Sequence, residues 1–204
     1  MLNDWFIVHD GLVGAARLPS LGRTRRRISA AELMLLLGAG GIAAAAIGLI
    51  KLGLGIPGHA IVLAALPMSL GMSLAPRHLA GSVMSAGALG TASVLAIAGV
   101  ANYGSGAFVS LSLIGPMMDV ALRGVRSGGW RLYAAFVISG VATNLLALAS
   151  RAGAKVLGLD AGGRPFDSWW LQASMTYTVS GVVAGLLGAL CWFQFRERTR
   201  TPQR

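Results

Sequence analysis

Residues 29–50 of the chain read SAAELMLLLGAGGIAAAAIGLI. Beyond Glu32 the stretch carries no charged residue, and as a helix rising about 1.5 Å per residue it is long enough to cross a hydrocarbon layer roughly 30 Å thick. Ser29, followed three residues later by Glu32, is the pattern of a capping box, in which each side chain accepts from the other's backbone N–H. The stretch therefore predicts a membrane-spanning helix with a well-marked start.

Five more apolar stretches of similar length follow. The six predicted spans cover residues 30–50, 58–76, 79–101, 105–122, 130–150 and 169–193. With 55% hydrophobic residues, 12% charged residues and a mean hydropathy of +0.69, 204 residues leave too little polar surface for a water-soluble globule. We therefore expect an all-α polytopic membrane protein, a six-transmembrane-helix bundle over residues 30–195. A cytoplasmic or interfacial segment (1–29) precedes it and a basic cytoplasmic tail (196–204) follows.

The positive charges are divided unequally between the two sides of this bundle. Thirteen of the 17 Lys and Arg residues fall on the side that both termini share, and only Lys51, Arg151, Lys155 and Arg164 fall on the other. The positive-inside rule then predicts that both termini are cytoplasmic, as in a bacterial inner membrane. The net charge of +10 is accounted for by orientation and by anionic lipid, so we expect no nucleic-acid partner.

The amino-terminal segment contains a cluster of apolar residues but no signal-peptide pattern. These residues, which could line one side of a short interfacial helix, are Trp5, Phe6, Ile7, Val8, Leu12 and Val13. A mobile tail is the alternative for this segment.

Small residues recur every four positions in the first predicted span, at Gly40, Ala44 and Gly48. A helix face without large side chains lets another helix pack very closely. This face predicts either docking onto a different membrane subunit or tight packing within the protein. For a second such face, at Gly181, Gly185 and Gly188, internal packing is the expectation.

Polar residues in the spans cluster toward the non-cytoplasmic side. His59 opens the second span, Asn102 and Tyr103 follow the third, and Asn144 lies in the outer half of the fifth. Because polar groups are costly in a bilayer, these four residues predict a substrate pocket that opens to the outside. Trp169 and Trp170, which begin the last span, are expected to form part of an aromatic belt.

Asp119 is the acidic residue placed deepest in a span, near the cytoplasmic end of the fourth. An ion pair with Arg123, one helical turn away, would lower the cost of burying its carboxylate. Proton coupling and partner docking are the alternatives for Asp119.

Several enzyme classes are excluded by missing motifs. The chain has no G-x-x-x-x-G-K-[ST] phosphate loop, no H-E-x-x-H, no C-x-x-C and no G-x-S-x-G elbow. We therefore expect a non-catalytic protein without a cofactor.

Two short glycine-rich motifs resemble a known family. Residues 55–59 (GIPGH) open the second span and residues 102–108 (NYGSGAF) open the fourth. They resemble motifs of the substrate-binding subunits of energy-coupling factor transporters, and are most similar to the cobalt and nickel branch. In that branch a Gly-rich turn with a histidine precedes the second span, and a Gly-x-Gly loop follows the third.

The resemblance implies a membrane subunit that binds a micronutrient for import. It implies that His59 contacts the substrate, as a metal ligand if the substrate is a metal ion. It also implies that the first helix docks a transmembrane coupling subunit, which works with cytoplasmic ATPases. The family's amino-terminal Met-His ligands have no match in Met1-Leu2-Asn3, so a vitamin and a metal ion both stay open. The alternative function is a structural subunit at the periphery of a larger membrane complex.

Overall fold

The computed structural model describes residues 7–9, 12, 28–50, 58–125, 129–158 and 166–193, except for the side chains of residues 167 and 168. Within these ranges the chain forms six α-helices. In chain order they are α1 (Ala30–Leu49), α2 (Ala60–Leu74), α3 (Ala80–Ile97), α4 (Ser105–Leu122), α5 (Trp130–Val156) and α6 (Phe166–Phe193). Apart from an isolated bridge between Val8 and Arg77, the described residues contain no β-structure, so the predicted all-α fold is confirmed.

Five of the described helices, all except α2, are long and apolar enough to cross a membrane. α2 is also apolar, but its 15 residues are fewer than the predicted span 58–76. It ends at Leu74 because Pro76 disfavours the helical conformation of the residue before it, Ala75. The structure is thus a helical bundle of membrane-protein character, with five helices of spanning length.

Other helix boundaries also differ from the predicted spans. α3 stops at Ile97, short of residue 101, and Gly99 follows with a positive φ of 69° that suits a helix end. α5 continues past residue 150 to Val156, with Lys155 in the last turn, where a cation interacts favourably with the helix dipole. The spans were predicted from the length of apolar sequence, but a helix can continue through polar residues, as α5 does.

The helices form a ring in the order α1, α3, α4, α5, α6 and α2, and α2 closes the ring against α1. α1, α3 and α5 begin at the end of the bundle where α2, α4 and α6 finish. We call this the basic end, because the sequence places most arginines in its loops, and we call the other the opposite end. Long apolar side chains such as Met34, Ile97 and Val179 are exposed on the outside, as a lipid-facing surface requires.

α3 and α4 approach each other most closely at two glycines. A Cβ on Gly81 would overlap the carbonyl of Gly115, and a Cβ on Gly115 would overlap the carbonyl of Gly81. The Ser85 hydroxyl lies beside them and accepts a hydrogen bond from the Gly115 N–H at 3.1 Å. The absence of side chains at both positions therefore sets the distance between these helices.

The glycines of α6 pack inside the bundle, as expected. A Cβ on Gly181 would lie 2.7 Å from the Cα of Val141 on α5, and a Cβ on Gly188 would lie 2.6 Å from the hydroxyl of Ser69 on α2. Backbone atoms of α5 are equally close to Gly185. This face joins α6 to its two neighbours in the ring.

The small-residue face of α1 is also filled by the chain itself. Gly40 packs against the backbone of Met84 on α3, and the buried Ala44 accepts a hydrogen bond from the Tyr103 hydroxyl at 2.9 Å. The Tyr103 phenol covers Gly48 as well. These contacts support the internal-packing alternative for Gly40 and Ala44, whereas Gly48 is half-buried, and docking of another subunit on this face stays a prediction.

Candidate functional sites at the two ends of the bundle

Asn144 is the best-defined polar group toward the opposite end. Its residue is 1% exposed, and its Nδ2 donates to the Tyr177 carbonyl at 2.8 Å and, more weakly, to the Gly58 carbonyl at 3.4 Å. Because both partners are acceptors, the orientation of the amide is fixed and Oδ1 must point away from them. Asn144 thus ties α5 to α6 and to the turn before α2.

Two buried oxygens on α5 have no hydrogen-bond partner among the described residues, Asn144 Oδ1 and Thr143 Oγ1. Leaving a buried polar atom unsatisfied costs about 1–3 kcal/mol, and more where water is excluded. Native structures satisfy nearly all such groups. These two atoms are therefore positions where a hydrogen-bonding ligand or water would be stabilised.

Gly58 brings His59 to the same region. The φ of Gly58 is +85°, and a Cβ there would lie 3.1 Å from both the Cα and the ring of Tyr177, so only glycine fits this approach. His59 follows directly, is half-buried and precedes the first turn of α2. The structure thus brings Asn144 and Gly58, the residue before His59, next to Tyr177, and the substrate pocket at His59 and Asn144 stays a prediction.

The other two predicted pocket residues do not join them. The buried Tyr103 donates its hydroxyl to Ala44 on α1, and its ring lies 5.6 Å from that of Phe108. Burial raises the pKa of the Tyr103 phenol, so the group is a neutral donor. Asn102 is exposed. Tyr103 thus packs against α1, which is not a neighbour of α5 in the ring, and the roles of Tyr103 and Asn102 as substrate contacts stay predictions.

Trp169 differs from the belt that the sequence predicts. It is 7% exposed, and Lys155 Nζ and the Arg151 guanidinium lie 5.4 and 6.0 Å from its ring centre. Cations at these distances interact favourably with the face of an indole. Trp170, by contrast, is exposed and stacks on Phe166, which is the placement expected in an aromatic belt.

His59 is the residue at which the sequence predicts a metal ligand. No three His, Cys, Asp or Glu residues in the part of the chain that the structure describes are grouped so that they could hold a metal ion. A single imidazole supplies too few donors for cobalt or nickel. Residues 51–57, which precede Gly58, lie outside the described ranges, so the metal-ligand role of His59 stays a prediction.

At the basic end, the predicted capping box is confirmed and extended. Ser29 N–H donates to Glu32 Oε2 at 2.9 Å, and Glu32 N–H donates to the Ser29 hydroxyl at 3.1 Å. The same carboxylate accepts three hydrogen bonds of 2.9–3.0 Å from Arg77, and both side chains are 1% exposed. Nothing in the sequence indicated this ion pair beyond one acid and one arginine near helix ends on the same side.

Residues 7–9 and 12 also lie at the basic end of the bundle. Val8 pairs in antiparallel fashion with Arg77, His9 N–H donates to the Pro76 carbonyl at 2.7 Å, and Leu12 is fully buried. The expected helix is therefore corrected for residues 7–9, because their backbone hydrogen bonds are used by the turn between α2 and α3, whereas Leu12 is helical and the interfacial placement of the segment stays a prediction. Trp5, Phe6 and Val13 lie outside the described residues.

Asp119 stabilises the start of α3 and does not form the predicted close pair with an arginine. Its carboxylate accepts hydrogen bonds from the N–H of Gly81 at 2.9 Å and from both the N–H and the hydroxyl of Ser82 at 2.7 Å. Among the described residues the exposed Arg123 forms no close ion pair with Asp119 and acts on its carboxylate at longer range, so the expected ion pair is corrected. A carboxylate at a helix N-terminus satisfies free N–H groups and complements the helix dipole, which makes Asp119 a capping residue supplied by α4.

Comparisons of the chain with models of protein families, with curated proteins and with solved structures found no match.

Proposed function

We propose that this chain is the substrate-binding membrane subunit of an energy-coupling factor type importer, one that captures a micronutrient. The observation that carries the proposal is the pair of unsatisfied oxygens at Asn144 and Thr143, buried on α5. A binding protein needs hydrogen-bonding atoms that its own fold leaves without a partner. These two oxygens have no hydrogen-bond partner among the described residues. The GIPGH and NYGSGAF motifs, similar to those of the family, agree with this function.

The proposed topology has six spans in a bacterial inner membrane, with both termini and the basic end in the cytoplasm. Alternating helix directions and the excess of arginine at one end support it. α2 is the short member, since 15 residues rise only about 22 Å. Local thinning of the bilayer or the flanking turns can make up such a difference at modest cost.

Substrate contacts are proposed for His59 and Asn144, with Tyr177 holding Asn144 and the adjacent Gly58 in place. The Asn144 amide nitrogen is already engaged by two carbonyls, so its oxygen is the atom available to a substrate. An organic micronutrient such as a vitamin is the preferred substrate class, and a metal ion bound at His59 is the less favoured one.

The proposed coupling subunit would meet α1 on its outer face. Met34 and Ile42 are 73% and 63% exposed there, and Gly38, which lies between them, has no atom within 4 Å of a built Cβ. These positions are four residues apart and therefore share one helix face. A partner that works with cytoplasmic ATPases could pack here without displacing any contact of the bundle.

Purification in mild detergent tests the proposal. We expect transmembrane coupling and nucleotide-binding subunits to co-purify, together with a small molecule that dissociates on denaturation. Stoichiometric association with another large membrane complex, without nucleotide-binding subunits, would instead support the structural role.

Uptake measurements test the site itself. With the partner subunits present, His59→Ala and Asn144→Ala should weaken uptake of the identified substrate, whereas Thr178→Ala, at an exposed position of α6, should not. Unchanged apparent affinity in both site variants would overturn the assignment of the pocket.

A further inference from the structure

We infer that the site formed by Thr143 and Asn144 on α5 takes an uncharged amide or lactam group, which donates to Asn144 Oδ1 and accepts from the Thr143 hydroxyl. This substrate class rests on the proposed function, because it describes what the subunit would capture. Three features of the site carry it: the chemistry of the two unsatisfied oxygens, their depth in the bundle and the space beside Tyr177 at the start of α4.

The free atom of Asn144 can only accept a hydrogen bond. Its Nδ2 donates to the Tyr177 carbonyl at 2.8 Å and to the Gly58 carbonyl at 3.4 Å, and Oδ1 is the atom left without a partner. An amide oxygen carries no proton, so a ligand atom that pairs with it must be a donor. A carboxylate oxygen placed there would bring two acceptors together and leave both unsatisfied. The ligand group therefore carries an N–H or an O–H.

The Thr143 hydroxyl complements the other half of an amide. Thr143 is fully buried, and its Oγ1 also has no partner. A threonine hydroxyl can donate one hydrogen bond and accept others. Because Thr143 directly precedes Asn144, a group that carries a donor next to an acceptor can satisfy both residues. An amide or a lactam does so, since its N–H and its C=O share one carbon atom.

The depth of the site favours an uncharged group. Asn144 lies near the middle of α5 and is 1% exposed. A charge at such depth is costly unless an opposite charge lies beside it. The two acidic side chains that the structure describes, Glu32 and Asp119, both lie at the basic end. Neither of them would compensate an ammonium group at Asn144, whereas a neutral amide needs no counter-charge.

Gly106 leaves space about the size of a methyl group beside Tyr177. A Cβ built on Gly106, in the first turn of α4, has as its nearest described neighbours the Tyr177 hydroxyl at 3.7 Å and the Ala147 carbonyl at 4.0 Å, which are ordinary contact distances. Ala147 lies about one helical turn beyond Thr143, toward the opposite end. The start of α4 thus gives a ligand a route from the opposite end toward Thr143.

Binding of benzamide to the purified protein in detergent micelles tests this substrate class. Saturation-transfer NMR, compared with protein-free micelles, measures the affinity. Benzamide is uncharged and has an N–H next to a carbonyl, and a probe of this size should bind with a Kd of about 10 mM or tighter. N,N-dimethylbenzamide keeps the carbonyl but has no N–H, so it should bind about fivefold more weakly or worse. The charged analogues benzoate and benzylammonium should also bind more weakly than benzamide.

Two variants assign the binding to this site. Asn144→Ala and Thr143→Val should each weaken benzamide binding by about fivefold or more, which corresponds to the loss of one hydrogen bond. Thr143→Val keeps the shape of the side chain and removes only the hydroxyl, so it decides the result if Asn144→Ala does not fold. Ser174→Ala, on the exposed surface of α6, is the matched control and should leave the affinity unchanged.

Several results would overturn the inference. They are equal affinity for benzamide and N,N-dimethylbenzamide, tighter binding of either charged analogue, no saturable binding of benzamide, and unchanged affinity in both site variants. The importer function is tested separately by its partners. If coupling and nucleotide-binding subunits co-purify but benzamide does not bind as expected, only the substrate class is wrong. If benzamide binds but no such subunits co-purify, the site stands and the importer function is wrong.

Discussion

The buried pair of Glu32 and Arg77 gives the sharpest prediction about stability. Both side chains are 1% exposed, and three hydrogen bonds of 2.9–3.0 Å join them. Arg77→Met would remove all three bonds and leave the Glu32 carboxylate buried with only the Ser29 N–H as a partner. Removing one member of a buried pair costs about 3–5 kcal/mol, so we expect the free energy of unfolding to fall by that amount.

Glu32→Gln allows the charge to be separated from the capping box. A glutamine at this position can still accept from the Ser29 N–H, so the start of α1 should be preserved. The double variant Glu32→Gln/Arg77→Met contains neither buried charge, and it should lose less than about 2 kcal/mol, because replacing both members of a buried pair is often nearly neutral.

Reversible unfolding in mixed micelles, titrated with sodium dodecyl sulfate, measures these differences. The informative quantity is the coupling energy of the double-mutant cycle. If Arg77→Met costs less than about 1 kcal/mol, or if the double variant is as unstable as Arg77→Met, then an uncompensated buried carboxylate is not what destabilises the protein.

Five further substitutions, two of them matched controls, test the packing and the site. Asp119→Ala should lower the free energy of unfolding by about 0.5–2 kcal/mol because it uncaps α3. Arg123→Ala should change it by less than about 0.5 kcal/mol. Equal losses of stability in thermal unfolding would support an Asp119–Arg123 ion pair instead. Gly81→Ala should lower the free energy of unfolding by about 1–3 kcal/mol because the added methyl group overlaps α4. Gly90→Ala, where a built Cβ meets no atom within 4 Å, should raise it by about 0.5–1 kcal/mol. Similar melting temperatures for the two variants would refute the close approach of α3 and α4. Thr143→Val should stabilise the ligand-free protein by about 1 kcal/mol because it removes an unsatisfied hydroxyl; a lower melting temperature would show that the hydroxyl has a partner.

Local patterns predicted the parts of the structure that depend on neighbouring residues. The capping box at Ser29 and Glu32 formed as expected, because both members belong to one helix turn. Each predicted span contains a helix, because continuous apolar length is a property of the sequence itself. The internal packing of the α6 glycines was also predicted, since close packing against another helix is what such a face favours.

Contacts between residues of different helices could not be predicted from the sequence in the same way. In a membrane bundle the lipid-facing side of a helix is as apolar as the side facing the core, so periodicity does not reveal which residues are buried. Tyr103 was therefore assigned to the pocket although it packs on α1, and Asp119 was assigned to Arg123 although it caps α3. Thr143 carried no signal at all, because a threonine in an apolar stretch is ordinary.

The sequence by itself determined that the chain is helical, apolar enough for a membrane and more basic at one end than at the other. These properties follow from composition and from the order of residues along each stretch. Only the tertiary structure decided that Asn144 meets Tyr177 and Gly58, and that Arg77 meets Glu32 and Val8. Such contacts depend on the order of the helices around the ring and on their relative heights, which interhelical packing fixes and no single helix encodes.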